Sequence, residues 1–519
     1  MTPDIAIENT VEPAAPRRST AGMTTKVVKG SLWTLAGQVV PLAVSMLATP
    51  FTIRLLGSEG YGVFVLIGVI PNYFLFADFG MGMASTKFGS EAYAQGDEEK
   101  EGRIVRTAAL IAAITSLPVA VTLFLLSGWV VTLFNVPEHM LGQANLALKL
   151  TAITFFVNFF HYILNTPQLT RMRMDLNSLV SSSFRVLGIV ATPIVIYLGY
   201  GIAGAAAVLL AASVLTLAGH VFVSRRLTPY LFATSLERGL MKPLLNFGGA
   251  LVGGAIAGLL LHNLDRGVLP RLVSVEALAH YSVGFSLAWM VATFSNAMIQ
   301  SLIPAFSLLQ SDESRRQLQD LYSRAIRLTL IWLIPAVVFL VLIAKPFIYL
   351  WAGEEFATES VPIFYVVLAG MGFMILSYLP YAAIMAAGRT DIFAKLYFAE
   401  LLPYFLLLVF LTAKYGAIGT AAAWSARAIV DCCLLFYLAG RYARVSLTTE
   451  LRLMDFVPAT AIMLIPIVGY AYFSEANVIV VLLFLGAGVT YCIAMWKMIL
   501  EHSERVWLRK QISDRLSFE

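Results

Sequence analysis

Residues 54–87 read RLLGSEGYGVFVLIGVIPNYFLFADFGMGMASTK. The stretch joins two apolar runs through the turn Gly57-Ser58-Glu59-Gly60-Tyr61-Gly62. It then carries a single carboxylate, Asp78, into an otherwise apolar segment, with Gly80 and Gly82 just beyond. A buried acid beside helix-loosening glycines suits a solvated, moving site in a membrane transporter. The same pattern suits a helix end near the membrane surface that Asp78 caps. Asp78 lies nearer the cytoplasmic end of its segment than the centre, so an inner-gate or helix-end contact, for instance to Lys87, is the second reading.

Composition extends the membrane assignment outward from this stretch. The 519 residues are 59% hydrophobic and 13% charged, and the mean hydropathy is +0.79. Soluble domains are typically about 45–50% apolar and about 25% charged. The net charge of +5 is spread between apolar runs, which argues against nucleic acid as a partner. Cys432, Cys433 and Cys492 lie inside apolar runs, with no histidine at ligand spacing beside them, and read as packing residues. No Walker loop, H-E-x-x-H or paired-carboxylate loop is present, so neither enzyme chemistry nor a cofactor is expected.

A membrane span takes about 20 mostly apolar residues. That length divides the chain into about fourteen segments, near 30–55, 61–86, 104–134, 141–170, 176–198, 201–224, 243–268, 277–307, 325–351, 359–387, 392–413, 416–440, 454–473 and 477–498. Of the 36 basic residues, 28 fall in alternate connections and at the two ends. The positive-inside rule then places both termini in the cytoplasm and makes the segment count even. The expected class is an all-α integral membrane protein with two parallel six-helix repeats and two C-terminal helices. Its parts are a polar N-terminal segment (1–29), a first bundle (30–228), a linker (229–242), a second bundle (243–444), helices thirteen and fourteen (445–498) and a cytoplasmic tail (499–519). Residues 1–29 lack an apolar signal core, so no cleaved signal peptide is expected.

The repeat rests on four weak matches in the same order at a nearly constant offset. YGIAGAAA at Tyr200–Ala207 returns as YGAIGTAAA at Tyr415–Ala423. Arg173-Met174-Asp175 matches Arg389-Thr390-Asp391, Gly96-Asp97-Glu98 matches Ser311-Asp312-Glu313, and Arg54-Leu55-Leu56 matches Arg271-Leu272-Val273. An even number of segments per unit inserts both copies the same way up, with a transport path between them. The segments that open each unit carry Gly37, Pro41 and Pro50, or Gly248, Gly249, Gly253, Gly254 and Gly258, and read either as gates or as close-packing faces.

Charges well within the spans are few, and each should face a bundle interior or water. Arg427 and Asp431, at i and i+4, can pair on one helix. Arg185 and Glu400 occupy matched repeat positions; they either pair across the pseudo-axis or divide the work, Arg185 holding an anionic substrate and Glu400 taking up a cation. Guanidinium in a dry cavity suits phosphate oxygens, as in a lipid-diphosphate head group. Buried Asp78, Glu400 and Asp431 would suit a cationic drug instead. Asp265 and Arg266, near the outer end of segment seven, read as either interfacial or functional.

Gly30-Ser31-Leu32-Trp33, Arg54 through Phe64, Asp78-Phe79-Gly80-Met81-Gly82 and Lys87-Phe88 together resemble the polysaccharide transporter branch of the multidrug/oligosaccharidyl-lipid/polysaccharide exporter superfamily, the Wzx-type flippases. The resemblance covers essentially the whole chain. It implies alternating access and movement of a lipid-linked oligosaccharide, typically on undecaprenyl diphosphate, across the bacterial inner membrane for O-antigen or exopolysaccharide synthesis. Membrane lipids, a polysaccharide polymerase and a chain-length regulator are the implied partners. Related flippases use a cationic cavity, which Lys149, Arg185 and Arg427 would supply; Asp78, Glu400 and Asp431 are then candidates for coupling or gating. The first segment carries no buried charge before Arg54, which sets the chain apart from the peptidoglycan-precursor flippases. The rival readings are a cation-coupled multidrug exporter of the same superfamily and a membrane polysaccharide polymerase or ligase.

Overall fold

A peptide group in hydrocarbon has no water to bond, so a spanning segment must close its hydrogen bonds internally, and a helix does so alone. A computed structural model of the protein describes residues 20–233, 237–446, 453–473, 478–499 and 505. The described residues form helices and turns, with no strand. The α-helices are α1 (Thr20–Val69), α2 (Met81–Ala94), α3 (Glu98–Leu125), α4 (Ser127–Thr132), α5 (Leu141–Leu164), α6 (Thr166–Thr170), α7 (Met174–Val195) and α8 (Gly201–Leu227). They continue with α9 (Arg238–Leu272), α10 (Val275–Leu308), α11 (Arg315–Ala352), α12 (Glu354–Ala386), α13 (Asp391–Tyr442), α14 (Leu453–Phe473) and α15 (Val478–Ala494). Among the described residues, eight helical stretches are long and apolar enough to cross a membrane. Of the expected polar segment 1–29, residues 1–19 lie outside the described residues, as does all of the tail 499–519 except 499 and 505.

The two longest helices cannot be single rods. Fifty residues in a straight helix would measure about 75 Å, against a hydrocarbon core of about 30 Å. The α1 helix breaks at Gly57 (φ 68, ψ 178). The α13 helix folds back at Gly416 (φ 61, ψ −137), and the Thr412 and Thr420 hydroxyls meet at 2.8 Å beside that turn. Gly201, matched to Gly416 in sequence, takes nearly the same dihedrals (φ 58, ψ −149) at the reversal from α7 to α8. The matched pairs Arg173–Asp175 and Arg389–Asp391 form the same local ion pair, at 2.9 and 3.1 Å.

The second expected segment, 61–86, is not one helix. The α1 helix ends at Val69, a 3-10 segment runs from Ile70 to Asp78 with Pro71 in its first turn, and Phe79 and Gly80 are left-handed (φ 55 and 69). Proline removes a backbone donor there, and the left-handed pair starts α2 on a new axis. Asp78 sits at the junction. Its carboxylate accepts the N–H groups of Gly80 at 2.9 Å and Gly82 at 3.3 Å, so it caps α2. Lys87 does not pair with it; the ammonium lies over the rings of Phe88 and Phe247, 4.8 and 4.6 Å from their centres.

Packing sorts the helices into a first group (α1–α8) and a second (α9–α13), with α14 and α15 against α11. One end of the molecule has a core shared by both groups: Ile53, Val63, Leu66 and Leu148 pack in the same cluster as Tyr281, Phe285, Phe356 and Trp424. Toward the other end the core divides. Met81, Ile104 and Ile163 cluster with the start of α9, while Phe306, Tyr322, Leu379 and Ala439 cluster within the second group.

At the shared end the groups exchange arginines. Arg54 of α1 donates to the Leu350 carbonyl near the end of α11 (3.0 Å), and Arg271 of α9 donates to the Leu133 carbonyl after α4 (2.7 Å). Trp351 Nε1 donates to the Met46 carbonyl (2.8 Å), and Asn135 Nδ2 to the carbonyls of Arg271 and Val273 (3.1 Å each). Gly62 lies so close to α10 that an added Cβ would stand 1.9 Å from the Val275 carbonyl oxygen, whereas at Gly68 a Cβ would meet nothing within 4 Å. At the divided end, Phe79 and Gly248 pack backbone to backbone, Arg103 pairs with Glu237 at 3.0 Å, and Arg106 donates to the Tyr230 carbonyl. The fully buried Glu101 ties the start of α3 to Arg171 (2.8 Å) and Thr170 (2.7 Å).

Overpacking typically costs about 1–3 kcal/mol, so Gly62→Ala should lower the thermal unfolding midpoint in detergent. Gly68→Ala should leave it unchanged or raise it, since alanine is the better helix former. Equal midpoints for the two variants would mean that the α1–α10 contact is not close.

Candidate functional site

The fold of α13 brings together residues that are distant in sequence. Glu400 lies on the arm before Gly416, and Arg427 and Asp431 lie on the arm after it. Arg427 Nη1 stands 3.5 Å from Glu400 Oε2, and both side chains are largely buried. Asp431 also lies beside Glu400 and within the field of Arg427. The expected helical pair Arg427–Asp431 is thus part of a three-residue group whose closest contact crosses between the arms. The guanidinium also rests over the ring of Tyr404, 5.3 Å from its centre.

A second set of polar residues adjoins this group. Asp265 of α9 is fully buried and accepts the Tyr281 hydroxyl at 2.5 Å. Arg266 lies over Phe285 (4.9 Å), whose ring packs edge-on against Trp424 (5.1 Å) and near Trp289 (5.8 Å). His262 meets Trp289 at 5.1 Å. Tyr404, which lies under the Arg427 guanidinium, clusters with Leu261 and Leu264 of α9, so the two sets adjoin in one site. Tyr73, on the 3-10 segment of the first group, reaches across and donates to the Asn263 carbonyl at 2.5 Å.

The site holds two guanidiniums, Arg266 and Arg427, against three carboxyls, Asp265, Glu400 and Asp431. One oxygen of each carboxyl and the Nε of each arginine are buried without a hydrogen-bond partner. Buried polar atoms without partners are uncommon and call for a ligand, an ion or water. A carboxylate in excess of its cations is costly in a dry site. The arrangement can therefore take up a proton or a cation, and it presents spare guanidinium donors to an anion.

The other expected cavity cations lie elsewhere. Lys149 of α5 is half-buried, with its ammonium 5.6 Å above the ring of Phe124. Arg185 is exposed on α7. It continues the face on which Ser178 and Ser182 touch Gly37 of α1. The cation beside Glu400 is Arg427, not Arg185, because the turn at Gly416 carries the second arm of α13 back along the first. Lys149, Arg185 and Arg427 thus form no contact cluster, while Glu400, Arg427 and Asp431 do. Sequence reasoning left Asp265 and Arg266 undecided and passed over Tyr73. The available signal was the run His262-Asn263-Leu264-Asp265-Arg266, four polar residues in five within an apolar helix.

Removing the cation of a buried pair strands its partner, at about 3–5 kcal/mol. Arg427→Met should destabilise the protein on that scale, and adding Glu400→Gln should recover part of the loss. A double-mutant cycle read by unfolding in detergent should give a coupling of about 0.5–3 kcal/mol. Strict additivity would mean that the two side chains do not interact.

A family model described as polysaccharide biosynthesis protein matches residues 52–362, more than half of the chain. The chain is 25% identical over 427 residues to a candidate O-antigen transporter of Shigella flexneri, a match covering 81% of this chain and 99% of that one. It is 20% identical over 359 residues to EpsK, an uncharacterised membrane protein of Bacillus subtilis, covering 67% and 69% of the two chains. Among solved structures, its fold is similar to the lipid II flippase MurJ in an inward closed conformation (TM-score 0.71, 14% identity, 91% of this chain and 100% of that one). It is also similar to an inward-facing multidrug resistance MATE family transporter of the MOP superfamily (TM-score 0.63, 16% identity, 79% and 98%). The chain belongs to the polysaccharide biosynthesis protein family.

Proposed function

We propose that the protein is a flippase that moves a lipid-linked oligosaccharide, carried on undecaprenyl diphosphate, from the inner to the outer leaflet of the bacterial inner membrane for O-antigen or exopolysaccharide synthesis. The observation that carries this reading is the change in the core along the molecule: at one end both helix groups share one broad cluster, while toward the other the first group meets the second through the start of α9 and the rest of the second group packs in a cluster of its own. Two bodies packed broadly at one end and meeting through the start of one helix at the other have the form of one half-cycle of alternating access. The family match and the Shigella relative support a glycan substrate.

In this reading the chain crosses the membrane fourteen times. The breaks at Gly57 and Gly416 each separate two crossings, and the turns at Gly201 and Gly416 are equivalent points in two six-helix repeats, with α14 and α15 outside them. Both termini are cytoplasmic, so the shared core is the outer closure. The arginine exchange between α1 and α11 and between α9 and α4 holds that closure. The first arm of α1, exposed along much of its length, lines the path together with the α7 face that carries Arg185. Arg185 and Lys149 receive the diphosphate. The site on α9 and α13 couples the cycle, because its surplus carboxyl takes up a proton or a cation in one state and releases it in the other. The same surplus of acid favours the rival reading, a cation-coupled drug exporter. A polysaccharide polymerase and a chain-length regulator would act next on the flipped glycan.

Proteoliposomes carrying a labelled lipid-linked glycan separate the two. The flippase reading expects the label to reach the opposite leaflet; no movement of glycan, together with export of a small cationic dye, would establish the rival. In cells, Arg185→Ala should reduce surface glycan at least tenfold at unchanged protein level, and normal export in that variant removes Arg185 from the substrate path.

A further inference from the structure

We propose that the starts of α10 and α12 form a binding site for a divalent transition-metal ion of the zinc class, with Glu276, His280 and Glu355 as ligands. Glu276 and His280 are one turn apart on α10, and Glu355 lies in the first turn of α12. One ligand atom from each residue lies within 4.8 Å of the other two. The site stands apart from the polar cluster of α9 and α13, and it does not depend on what the protein transports.

Acidic residues at helix starts need no metal to explain them, because the helix dipole favours them there. His280 is the observation that the dipole does not cover. Its side chain is 7% exposed. Nδ1 has no hydrogen-bond partner, and Nε2 meets the Glu355 carboxylate at 3.5 Å. That separation is longer than a hydrogen bond, which spans about 2.7–3.2 Å. It matches the edge of a zinc tetrahedron: bonds of about 2.0–2.2 Å to nitrogen and oxygen put neighbouring ligand atoms about 3.4 Å apart. The imidazole packs on Phe356 at 4.7 Å, and Tyr61 of the first group stands edge-on to that ring at 6.4 Å. Glu276 is within reach of the Ser58 hydroxyl at 3.4 Å.

An imidazole with two carboxylates selects zinc, manganese, iron, nickel or copper over magnesium and calcium, which prefer all-oxygen shells. A bound ion would tie the start of α10 to the start of α12 beside the Gly57–Gly62 turn.

The test uses tag-free full-length protein in detergent, stripped with a chelator and loaded with zinc or cobalt. Wild type should bind one zinc per chain, with a raised thermal midpoint and, for cobalt, visible ligand-field bands. Glu355→Gln, whose side chain is 54% exposed and whose replacement disturbs the fold least, should weaken zinc binding at least tenfold and abolish the bands. His280→Gln should do the same. Replacement of all three cysteines by alanine should retain both signals. The proposal is overturned if folded wild type binds no zinc, if Glu355→Gln binds it as tightly as wild type, or if the cysteine-free variant loses it.

Discussion

Within hydrocarbon, each peptide group without a hydrogen-bond partner costs several kcal/mol. This requirement shapes the protein more than any side-chain contact. It makes every long apolar run a helix. It also means that wherever a helix ends or turns inside the fold, some other group must serve the freed backbone. Asp78 does this at the start of α2, where its carboxylate takes two N–H groups. Arg54, Arg271, Trp351 and Asn135 do it at the shared end, where each donates to main-chain carbonyls of the opposite group. Contact between the two groups is therefore built from unfinished backbone hydrogen bonds, at helix ends or, for the Met46 carbonyl, where Pro50 four residues on has no N–H to offer. A cation near a helix C-terminus is also favoured by the dipole, so the Arg54 contact with the end of α11 is supported twice.

The polar cluster of α9 and α13 follows a different logic. The folding back of one long helix buries part of its charges, and they stand among aromatic rings. Three carboxyls and two guanidiniums cannot all be satisfied within the set, and the orphaned oxygens and nitrogens record that imbalance. Such unpartnered groups are uncommon in a folded interior.

Much of this architecture was legible in the sequence because hydropathy and glycine placement act locally. The all-helical class, the turn at Gly57 and the kinship to glycan exporters followed from residues 54–87 and the apolar runs around them. The matched Tyr-Gly pairs at 200–201 and 415–416 marked reversals with nearly equal dihedrals. The break after Val69 was not legible, because Ile70–Asp78 is as apolar as a helix and only Pro71 hints at a change. The site was legible in part. Glu400, Arg427 and Asp431 stood out as charges in apolar helices, but which of them touch depends on how α13 folds back. Tyr73 gave no signal at all, since a tyrosine in an apolar run is ordinary until a carbonyl from another helix is brought to its hydroxyl. The gathering of Glu276, His280 and Glu355 was equally hidden, because two helix starts must meet before it exists.

The exchange of Arg54 and Arg271 has a consequence for how such a chain evolves. Their acceptors are the backbone oxygens of Leu350 and Leu133, which every amino acid at those positions supplies. Positions 350 and 133 can therefore drift freely among apolar residues without weakening the fastening. No correlated substitution would tie either arginine to its partner, so a search for co-varying positions would miss this joint even in a deep family. A genetic screen would likewise recover no second-site repair at either acceptor, because the group that has been abandoned is not encoded by a side chain.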